Sequence, residues 1–217
     1  MSIRILLADD HRMLRDGLRS ILDQDSDAEV VAEADDGRIA VQLCAELKPD
    51  IVVMDIGMPA LNGIEATRQI SSEHPEVKVI ALSMHCDRRY ALQMLDAGAS
   101  GYVLKQAACG ELLRAIRIVS EGQYYLSPQI TGIVIESYVG RLPVKGASKV
   151  AALSSREREV LQLLAEGKTS RQIATALHMS GKTADTHRRN IMRRLDLHTI
   201  ADLTKFAVRE GLTALEG

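Results

Sequence analysis

The sequence predicts an α/β unit built on a parallel sheet, followed by a small all-helical unit. In the first half of the chain, short apolar runs alternate with amphipathic stretches. The alternation stops after Gly122, and from Leu153 onward every apolar pattern has a helical period. The 217 residues are 46% hydrophobic and 26% charged. This composition suits two folded domains and excludes the disordered and low-complexity classes.

Five apolar runs in the first half predict buried strands, and each is followed by a helical pattern. The strand candidates are Ile3–Ala8, Val30–Ala32, Ile51–Met54, Val77–Leu82 and Tyr102–Leu104. The helical patterns lie near residues 11–23, 37–47, 63–73, 87–96 and 109–121. This alternation predicts a (βα)5 doubly wound parallel sheet that is covered on both faces. A ligand site of such a sheet is expected at the carboxyl ends of its strands.

The segment 123–149 predicts a linker that is partly helical. Its turn-forming residues are Ser127-Pro128, Gly140, Pro143 and Gly146, and a short apolar stretch with helical character covers Ile130–Tyr138. Beyond it, helical patterns lie near residues 155–166, 169–177, 182–195 and 200–210. We therefore expect a first domain over residues 1–122, a linker over 123–149 and a second, all-α domain over 150–217.

The net charge of −2 conceals a difference between the two halves of the chain. Residues 1–125 contain 13 Lys and Arg against 20 Asp and Glu, a net charge of −7. Residues 141–217 contain 14 against 8, a net charge of +6. The basic half therefore suggests a polyanionic partner.

Cysteine usage and hydropathy indicate the cellular setting. Cys44, Cys86 and Cys109 are odd in number and lack metal-ligand spacing, so we expect free thiols in a reducing, cytoplasmic compartment. No apolar stretch approaches the roughly 20 residues that a membrane span needs. We therefore expect no membrane partner.

Polar side chains stand at the predicted strand ends of the first half. Asp9-Asp10 follows the first strand and Asp55 ends the third, so these three carboxylates are expected to lie close together. Their mutual repulsion favours a bound hard divalent cation such as Mg²⁺. Ser83 closes the fourth strand and Lys105 the fifth. Acids, a hydroxyl and an ammonium group at one edge suit phosphoryl transfer to a carboxylate, with Asp55 as the nucleophile.

Four segments of the first half form a specific set of motifs. They are LLADDH (6–11), VMDIGMP (53–59), LSMH (82–85) and GASGYVLK (98–105). The set resembles the receiver domain of two-component response regulators. The resemblance implies phosphorylation of Asp55 by a sensor histidine kinase, with Mg²⁺ held by Asp9, Asp10, Asp55 and the backbone carbonyl of Gly57. It further implies that Ser83 and Tyr102 form a switch pair and that Lys105 contacts the phosphoryl group.

The second half contains two predicted helices joined by a tight turn at Ser180-Gly181, which is the helix-turn-helix arrangement. The later of these helices has an apolar face formed by Ala184, Ile191 and Leu195. Its opposite, polar face carries Thr186, Arg189, Asn190 and Arg193. In a helix-turn-helix, the N-terminal residues of the second helix reach base edges in the major groove.

Side-chain chemistry assigns expected DNA contacts to this polar face. Arg189 can read guanine, Asn190 adenine or a phosphate, and Thr186 a thymine methyl group. Phosphate contacts are expected from Lys182, Arg188, Arg194, Thr169 and Ser170. The alternative is a solvated charged face, which is the commoner state of a basic helix.

Further segments of the second half are LSSREREVL (153–161), EGK (166–168), IA (173–174), KT (182–183), HR (187–188) and IMRRL (191–195). They resemble the LuxR-type DNA-binding domain over residues 150–214, which implies a recognition helix near 182–195 and a dimerising helix near 200–210. We expect DNA contacts from Thr169, Ser170, Lys182, Thr183, Asp185, Thr186, His187, Arg188, Arg189, Asn190 and Arg193.

The sequence departs from that family at Gly181 and Ala184, which stand where larger apolar residues are common. Glycine lowers helix propensity, so the exact start of the recognition helix is left open.

The two resemblances together are those of the NarL/FixJ group of response regulators. We expect a cytoplasmic transcription regulator that forms a homodimer when Asp55 is phosphorylated and then binds double-stranded promoter DNA, with RNA polymerase as a further partner. We expect no enzymatic activity beyond phosphorylation and dephosphorylation of Asp55 itself. Two alternatives stay open. One is a phosphohydrolase that acts on external substrates. The other is a phosphorylation-independent regulator or a protein-interaction module whose pocket is inert. For Asp10 taken singly, the commoner role of an Asp after a strand is to cap a helix, here the one that starts at His11.

Overall fold

A computed structural model describes residues 2–84, 86–139 and 149–213 of the chain. The chain divides into two compact units between residues 141 and 142. Residues 140–148, which belong to the predicted linker, and residues 214–217 lie outside the described residues. Within the described part of the chain, no helix combines the length and the apolar character needed to cross a membrane.

Six parallel strands form the sheet of the first unit, as far as the chain is described. They are β1 (Ile3–Ala8), β2 (Ala28–Ala34), β3 (Ile51–Asp55), β4 (Lys78–Ser83), β5 (Gly101–Leu104) and β6 (Tyr125–Leu126), in the order β2-β1-β3-β4-β5-β6. Every neighbouring pair is parallel. In the interior strand β3, Ile51 and Val53 enter one core while Val52 and Met54 enter the other. Burial on both faces explains why this strand has a continuous apolar run.

Six helices accompany the sheet in the described part of the first unit. They are α1 (Arg12–Leu22), α2 (Gly37–Leu47), α3 (Gly63–Glu73), α4 (Arg88–Asp96), α5 (Ala108–Ser120) and α6 (Pro128–Val139). Side-chain oxygens of Asp36, Asn62 and Asp87 accept backbone N–H groups at the starts of α2, α3 and α4. These caps fix where the three helices begin. The predicted parallel α/β architecture is confirmed.

The first unit extends beyond residue 122, where the sequence placed its end. Tyr125–Leu126, predicted as linker, forms β6 and pairs with β5. The helix α6 then contacts α4, and its residues Ile130 and Val134 enter the same core as Val52. We call residues 125–139 the β6–α6 arm. A strand of two residues has no periodicity to detect, which is why the sequence pattern missed it.

Ser127 fastens the β6–α6 arm to the rest of the first unit. Its backbone N–H donates to the Tyr102 carbonyl at 2.9 Å, and its Oγ accepts the Leu104 N–H at 3.2 Å. Its hydroxyl donates to a carboxylate oxygen of Glu111. Ser127 is fully buried, so water does not compete for these bonds. The arm is therefore joined directly to the strand that carries Tyr102.

Ser127→Ala is expected to lower the free energy of unfolding by about 1–3 kcal/mol, because the Leu104 N–H and the Glu111 carboxylate lose a buried partner. Urea unfolding of the full chain measures this change. As a matched control, Ser120→Ala removes an exposed hydroxyl that bonds the Arg117 carbonyl. That variant is expected to change stability by less than about 0.5 kcal/mol. Equal losses in the two variants would contradict the assignment of Ser127 as the fastening residue.

The second unit is all-helical, as predicted, within its described residues. A short 3₁₀ turn at Lys149–Ala152 precedes α7 (Ser155–Ala165), α8 (Ser170–Ala176), α9 (Gly181–Leu195) and α10 (Ile200–Arg209). Their N-caps are Ser154, Thr169, Ser180 and Thr199, and the first two form capping boxes. One core receives side chains from all four helices, among them Leu161, Ile173, Ile191 and Phe206. The start of the recognition helix, which the sequence left open, lies at Gly181, with Ser180 as its N-cap.

Candidate functional site

The carboxyl ends of four parallel strands bring the acidic pocket together. Asp9 directly follows β1, Asp55 is the last residue of β3, Ser83 the last of β4, and Lys105 follows β5. All four side chains are buried. Because these strands run in the same direction, their ends meet at one edge of the sheet.

Lys105 bridges two of the carboxylates. Its Nζ lies 2.8 Å from Asp55 Oδ2 and 2.8 Å from Asp9 Oδ2. The Asp9 carboxylate also accepts the backbone N–H of His11 at 2.8 Å through Oδ1. The ammonium group is therefore held between the candidate phosphoacceptor and a candidate metal ligand.

The pocket perturbs the acid–base properties of its groups. Burial raises the pKa of the Asp55 carboxyl above its ordinary value and the Asp9 carboxylate raises it further, while Lys105 opposes both. Burial alone would lower the pKa of Lys105, but its ion pairs with Asp55 and Asp9 outweigh burial and raise it. The ionised Asp55 carboxylate is thus destabilised in its buried site, so an additional cation beside it is favourable.

The donor set fits a hard divalent cation. One ligand atom from each of Asp9, Asp10, His11 and Asp55 lies within 4.8 Å of the others. Asp10 Oδ1 is buried and accepts no hydrogen bond from any described residue, although His11 Nδ1 is 2.9 Å away. Carboxylate oxygens that lack donors are suitable Mg²⁺ ligands. Gly57, whose carbonyl was predicted as a ligand, lies exposed in the bend two residues after Asp55.

His11 and Gly63 are part of this region, and sequence reasoning assigned a role to neither. The His11 ring reaches the acidic cluster, where its Nδ1 lies 2.9 Å from Asp10 Oδ1 and 3.4 Å from Asp9 Oδ1. Gly63 begins α3 so close to β3 that a Cβ atom there would lie 1.9 Å from the Asp55 carbonyl oxygen. Such a close approach leaves no signal in the sequence beyond the glycine itself.

Gly63→Ala is expected to destabilise the first unit and to displace Asp55, because the added methyl group collides with the backbone of the candidate phosphoacceptor. The cost should reach at least about 1–3 kcal/mol, as for other overpacked sites. Thermal unfolding checks this. Gly17→Ala is the control, since Gly17 lies in α1 with open space around it, and alanine should stabilise a helix there by up to about 1 kcal/mol. Comparable stability of the two variants would contradict the collision.

The two residues predicted as a switch pair lie against each other. Ser83 is buried, and Tyr102 is fully buried on β5 with its side chain turned inward. Burial raises the pKa of Tyr102 to about 12, while a hydrogen bond with Ser83 acts in the opposite direction. The hydroxyls of the pair are thus in contact beside the acidic pocket.

The helix α9 has the two faces that the sequence predicted. Ala184, Ile191 and Leu195 are buried against the rest of the second unit. The opposite side exposes residues that were assigned to DNA contacts, namely Lys182, Thr183, Thr186, Arg189 and Arg193. Asp185, His187, Arg188 and Asn190 are half-buried along its borders. The cations of this face lie in the second helix of the helix-turn-helix pair α8–α9.

Several predicted DNA contacts also have partners inside the unit. Thr169 caps α8, and the Thr183 hydroxyl bonds that of Ser180 at 2.8 Å. Ser170 Oγ donates to Asp185 Oδ1 at 2.7 Å, which joins α8 to α9. These internal hydrogen bonds fix the position of α9 relative to α8. The contacts that the same residues are expected to make with phosphates would in turn orient α9 on the DNA.

Arg194, expected to contact a phosphate, has an internal role in the structure. Its Nη1 lies 2.9 Å from Oε2 of the buried Glu157 and donates to the Ala152 carbonyl at 3.2 Å. The prediction from charge alone missed this pairing, because an amphipathic pattern does not reveal ion pairs between helices. His187 has a buried Nδ1 that bonds no described residue.

Two family profiles match the chain. The one described as "Response regulator receiver domain" matches residues 5–117, and the one described as "Bacterial regulatory proteins, luxR family" matches residues 151–207. The first covers the acidic pocket and the second covers α7 to α9. Each profile therefore lies within one of the two units of the structure.

Relatives match over nearly the whole chain. The transcriptional regulatory protein LiaR of Bacillus subtilis (strain 168) is 40% identical over 208 residues, 95% of each chain. The transcriptional regulatory protein DegU of Brevibacillus brevis is 36% identical over 222 residues, 96% of this chain and 94% of DegU. A solved structure of the two-component response regulator RcsB in complex with DNA is 26% identical, with a TM-score of 0.59, and covers 95% of this chain and 98% of RcsB. The chain belongs to the NarL/FixJ group of two-component response regulators, transcription regulators in which a receiver domain precedes a LuxR-type DNA-binding domain.

Proposed function

We propose that a sensor histidine kinase phosphorylates Asp55 and that this modification promotes dimerisation and promoter binding by the second unit. The observation that supports it best is the Lys105 ammonium group, which lies 2.8 Å from the carboxylates of Asp55 and Asp9. A buried acid of raised pKa beside a fixed cation is suited to accept a phosphoryl group. Membership of the group makes a histidine kinase the natural phosphodonor.

The chemical step is a transfer between two nucleophiles. An Asp55 carboxylate oxygen forms a bond to phosphorus while the bond from phosphorus to the kinase imidazole nitrogen breaks, and the electron pair stays on that nitrogen. Lys105 neutralises charge on the transferred phosphoryl oxygens. Asp9 and Asp10, with Asp55 and the Gly57 carbonyl, would hold Mg²⁺, which supplies further positive charge beside these oxygens when bound.

The product carries a charge of roughly −1.5 to −2 and three strong acceptor oxygens. The Ser83 hydroxyl, at the end of β4, is the nearby donor that can turn toward them. Its movement changes its contact with Tyr102, which lies inward on β5. Because β5 also bonds the β6–α6 arm through Ser127, the change reaches the last element of the first unit.

The second unit is proposed to act on DNA as a pair. In a symmetric dimer, two copies of α9 would enter major-groove half-sites about 34 Å apart. The cationic face of α9 would supply phosphate contacts, so binding should weaken steeply with salt. RNA polymerase at the promoter is the proposed further partner, and the cytoplasm is the proposed compartment.

One experiment separates this regulator from a phosphohydrolase. The full chain is incubated with Mg²⁺ and either acetyl phosphate or a generic phosphomonoester, and products are followed by intact-mass measurement and phosphate release. We expect one phosphoryl group per chain from acetyl phosphate and no sustained turnover of the monoester. Sustained turnover would show that the acidic pocket acts on external substrates and would overturn the proposal.

A further inference from the structure

Asp185 is an acidic residue on a helix whose other charged residues are basic. It is the sole acid among the 15 residues of α9, which also carries Lys182, Arg188, Arg189, Arg193 and Arg194. In a helix-turn-helix, residues near the start of the second helix reach base edges. A carboxylate at that position repels DNA phosphates and therefore weakens sequence-independent binding.

Within the described residues, one oxygen of the Asp185 carboxylate has bonding partners and the other has none. Asp185 Oδ1 accepts the Ser170 hydroxyl at 2.7 Å and lies 3.7 Å from Arg188 Nη2. No hydrogen bond or ion pair within the described residues reaches Oδ2. The side chain is 47% exposed. Ser170 on α8 thus holds the carboxylate in place while its second oxygen faces solvent.

An oriented acceptor discriminates among bases by what they present in the major groove. Guanine presents N7 and O6 and thymine presents O4, all of them acceptors that repel a carboxylate. Adenine has an amino group, but its N7 acceptor lies beside it. Cytosine presents only its N4 amino donor. An acid held at a base edge is therefore satisfied best by cytosine, and a mismatch leaves it desolvated without a donor.

We infer that Asp185 is a specificity-determining residue, which selects cytosine at one position of each half-site and rejects guanine and thymine there. The inference rests on the proposed function, because it requires α9 to enter the major groove. It goes beyond that function by assigning base selectivity to Asp185, whose negative charge weakens non-specific binding to DNA. Ser170 acts as the positioning residue.

The test is selection of binding sites from a random duplex library with the full chain, after treatment with acetyl phosphate and Mg²⁺. For the wild type we expect a required cytosine in each half-site, with a loss of roughly 5–150-fold in affinity when it is replaced by guanine or thymine, as for other base mismatches. Asp185→Ala should reduce this ratio to about 1 while selection at the other positions persists. Asp185→Asn should shift the preference to adenine, whose N6 and N7 an amide can bond together.

Ser170→Ala distinguishes base reading from a merely structural tie between α8 and α9. It removes the same interhelical hydrogen bond but keeps the carboxylate, so a cytosine preference should persist but be weaker than that of the wild type, because the acceptor is still present and is no longer held in place. Identical site profiles for Ser170→Ala and Asp185→Ala would overturn the inference, as would an unchanged profile in Asp185→Ala. A wild type that selects no sequence at all would overturn the proposed function together with it. Thermal unfolding of each variant confirms that the second unit is folded.

Discussion

Asp55→Asn is expected to abolish covalent phosphorylation of the chain by acetyl phosphate or by its kinase. The amide lacks the anionic oxygen that must bond to phosphorus beside the Lys105 ammonium group. Intact-mass measurement should give one phosphoryl group on the wild type and background labelling on the variant. Equal labelling would show that another residue accepts the phosphoryl group.

The thermal stability of Asp55→Asn shows whether the variant has lost its labelling because the nucleophile is absent or because the first unit is unfolded. Burial and Asp9 raise the pKa of Asp55 above its ordinary value of 3.8. The protonated form is thus favoured in the folded state, and stability falls as the pH rises from the unfolded pKa through the raised folded pKa. Without metal, Asp55→Asn should therefore unfold at a higher temperature than the wild type near neutral pH, and at a similar temperature near pH ~3.

Added Mg²⁺ should reverse that order, because a ligand that binds only the folded state stabilises it by mass action. The wild type should gain thermal stability with increasing Mg²⁺, and Asp55→Asn should gain less. Ser120→Ala, which changes an exposed side chain of α5, should follow the wild type in every condition. A wild type that is indifferent to Mg²⁺ would contradict the assignment of the carboxylates as metal ligands.

Arg189→Ala is expected to weaken binding to the selected site by roughly 5–150-fold and to relax selection at one position, because an arginine that reads guanine contributes about 1–3 kcal/mol. Arg189 is exposed on the polar face of α9, and among the described residues its hydrogen bonds are long, at 3.4 Å to the Asp185 carbonyl and the Thr186 hydroxyl. Its guanidinium group is thus available for DNA. Equilibrium titration of labelled duplexes with the selected site and with single-base variants measures both effects.

Two further variants separate base reading from simple charge. Lys182→Ala should weaken binding to all sequences alike and reduce the slope of log affinity against log salt by about 1, as expected for a phosphate contact. Arg114→Ala removes an equal charge from an exposed position on α5 of the first unit and should leave the site profile intact. If Arg189→Ala behaved like Lys182→Ala, Arg189 would be a phosphate contact and its assignment to guanine would be wrong.

The strand-end residues were predictable from sequence because apolar runs mark buried strands and parallel strands end at one edge. That reasoning places Asp9, Asp55, Ser83 and Lys105 together, and the structure brings these four residues to one buried edge. The inward face of α9 was predictable for a similar reason, since the helical period alone separates Ile191 from the polar side.

Other features depend on contacts between distant segments and leave no local pattern. The closeness of Gly63 to the Asp55 carbonyl follows from how α3 packs on β3. The fastening of the β6–α6 arm depends on Ser127, which reads as an ordinary turn residue until β5 is placed beside it. The pairing of Arg194 with Glu157 likewise requires the packing of α9 against α7. Periodicity reports which face of an element is buried, but not which polar groups meet across two elements.

Phosphate-dependent DNA binding by the full chain tests the central claim most directly. The affinity of the wild type and of Asp55→Asn for the selected duplex is measured with and without acetyl phosphate, at fixed Mg²⁺ and salt. The account predicts that the phosphodonor tightens binding of the wild type by about tenfold or more, a coupling of about 1.4 kcal/mol, and leaves Asp55→Asn unchanged. Equal affinities for the wild type with and without the phosphodonor would contradict it.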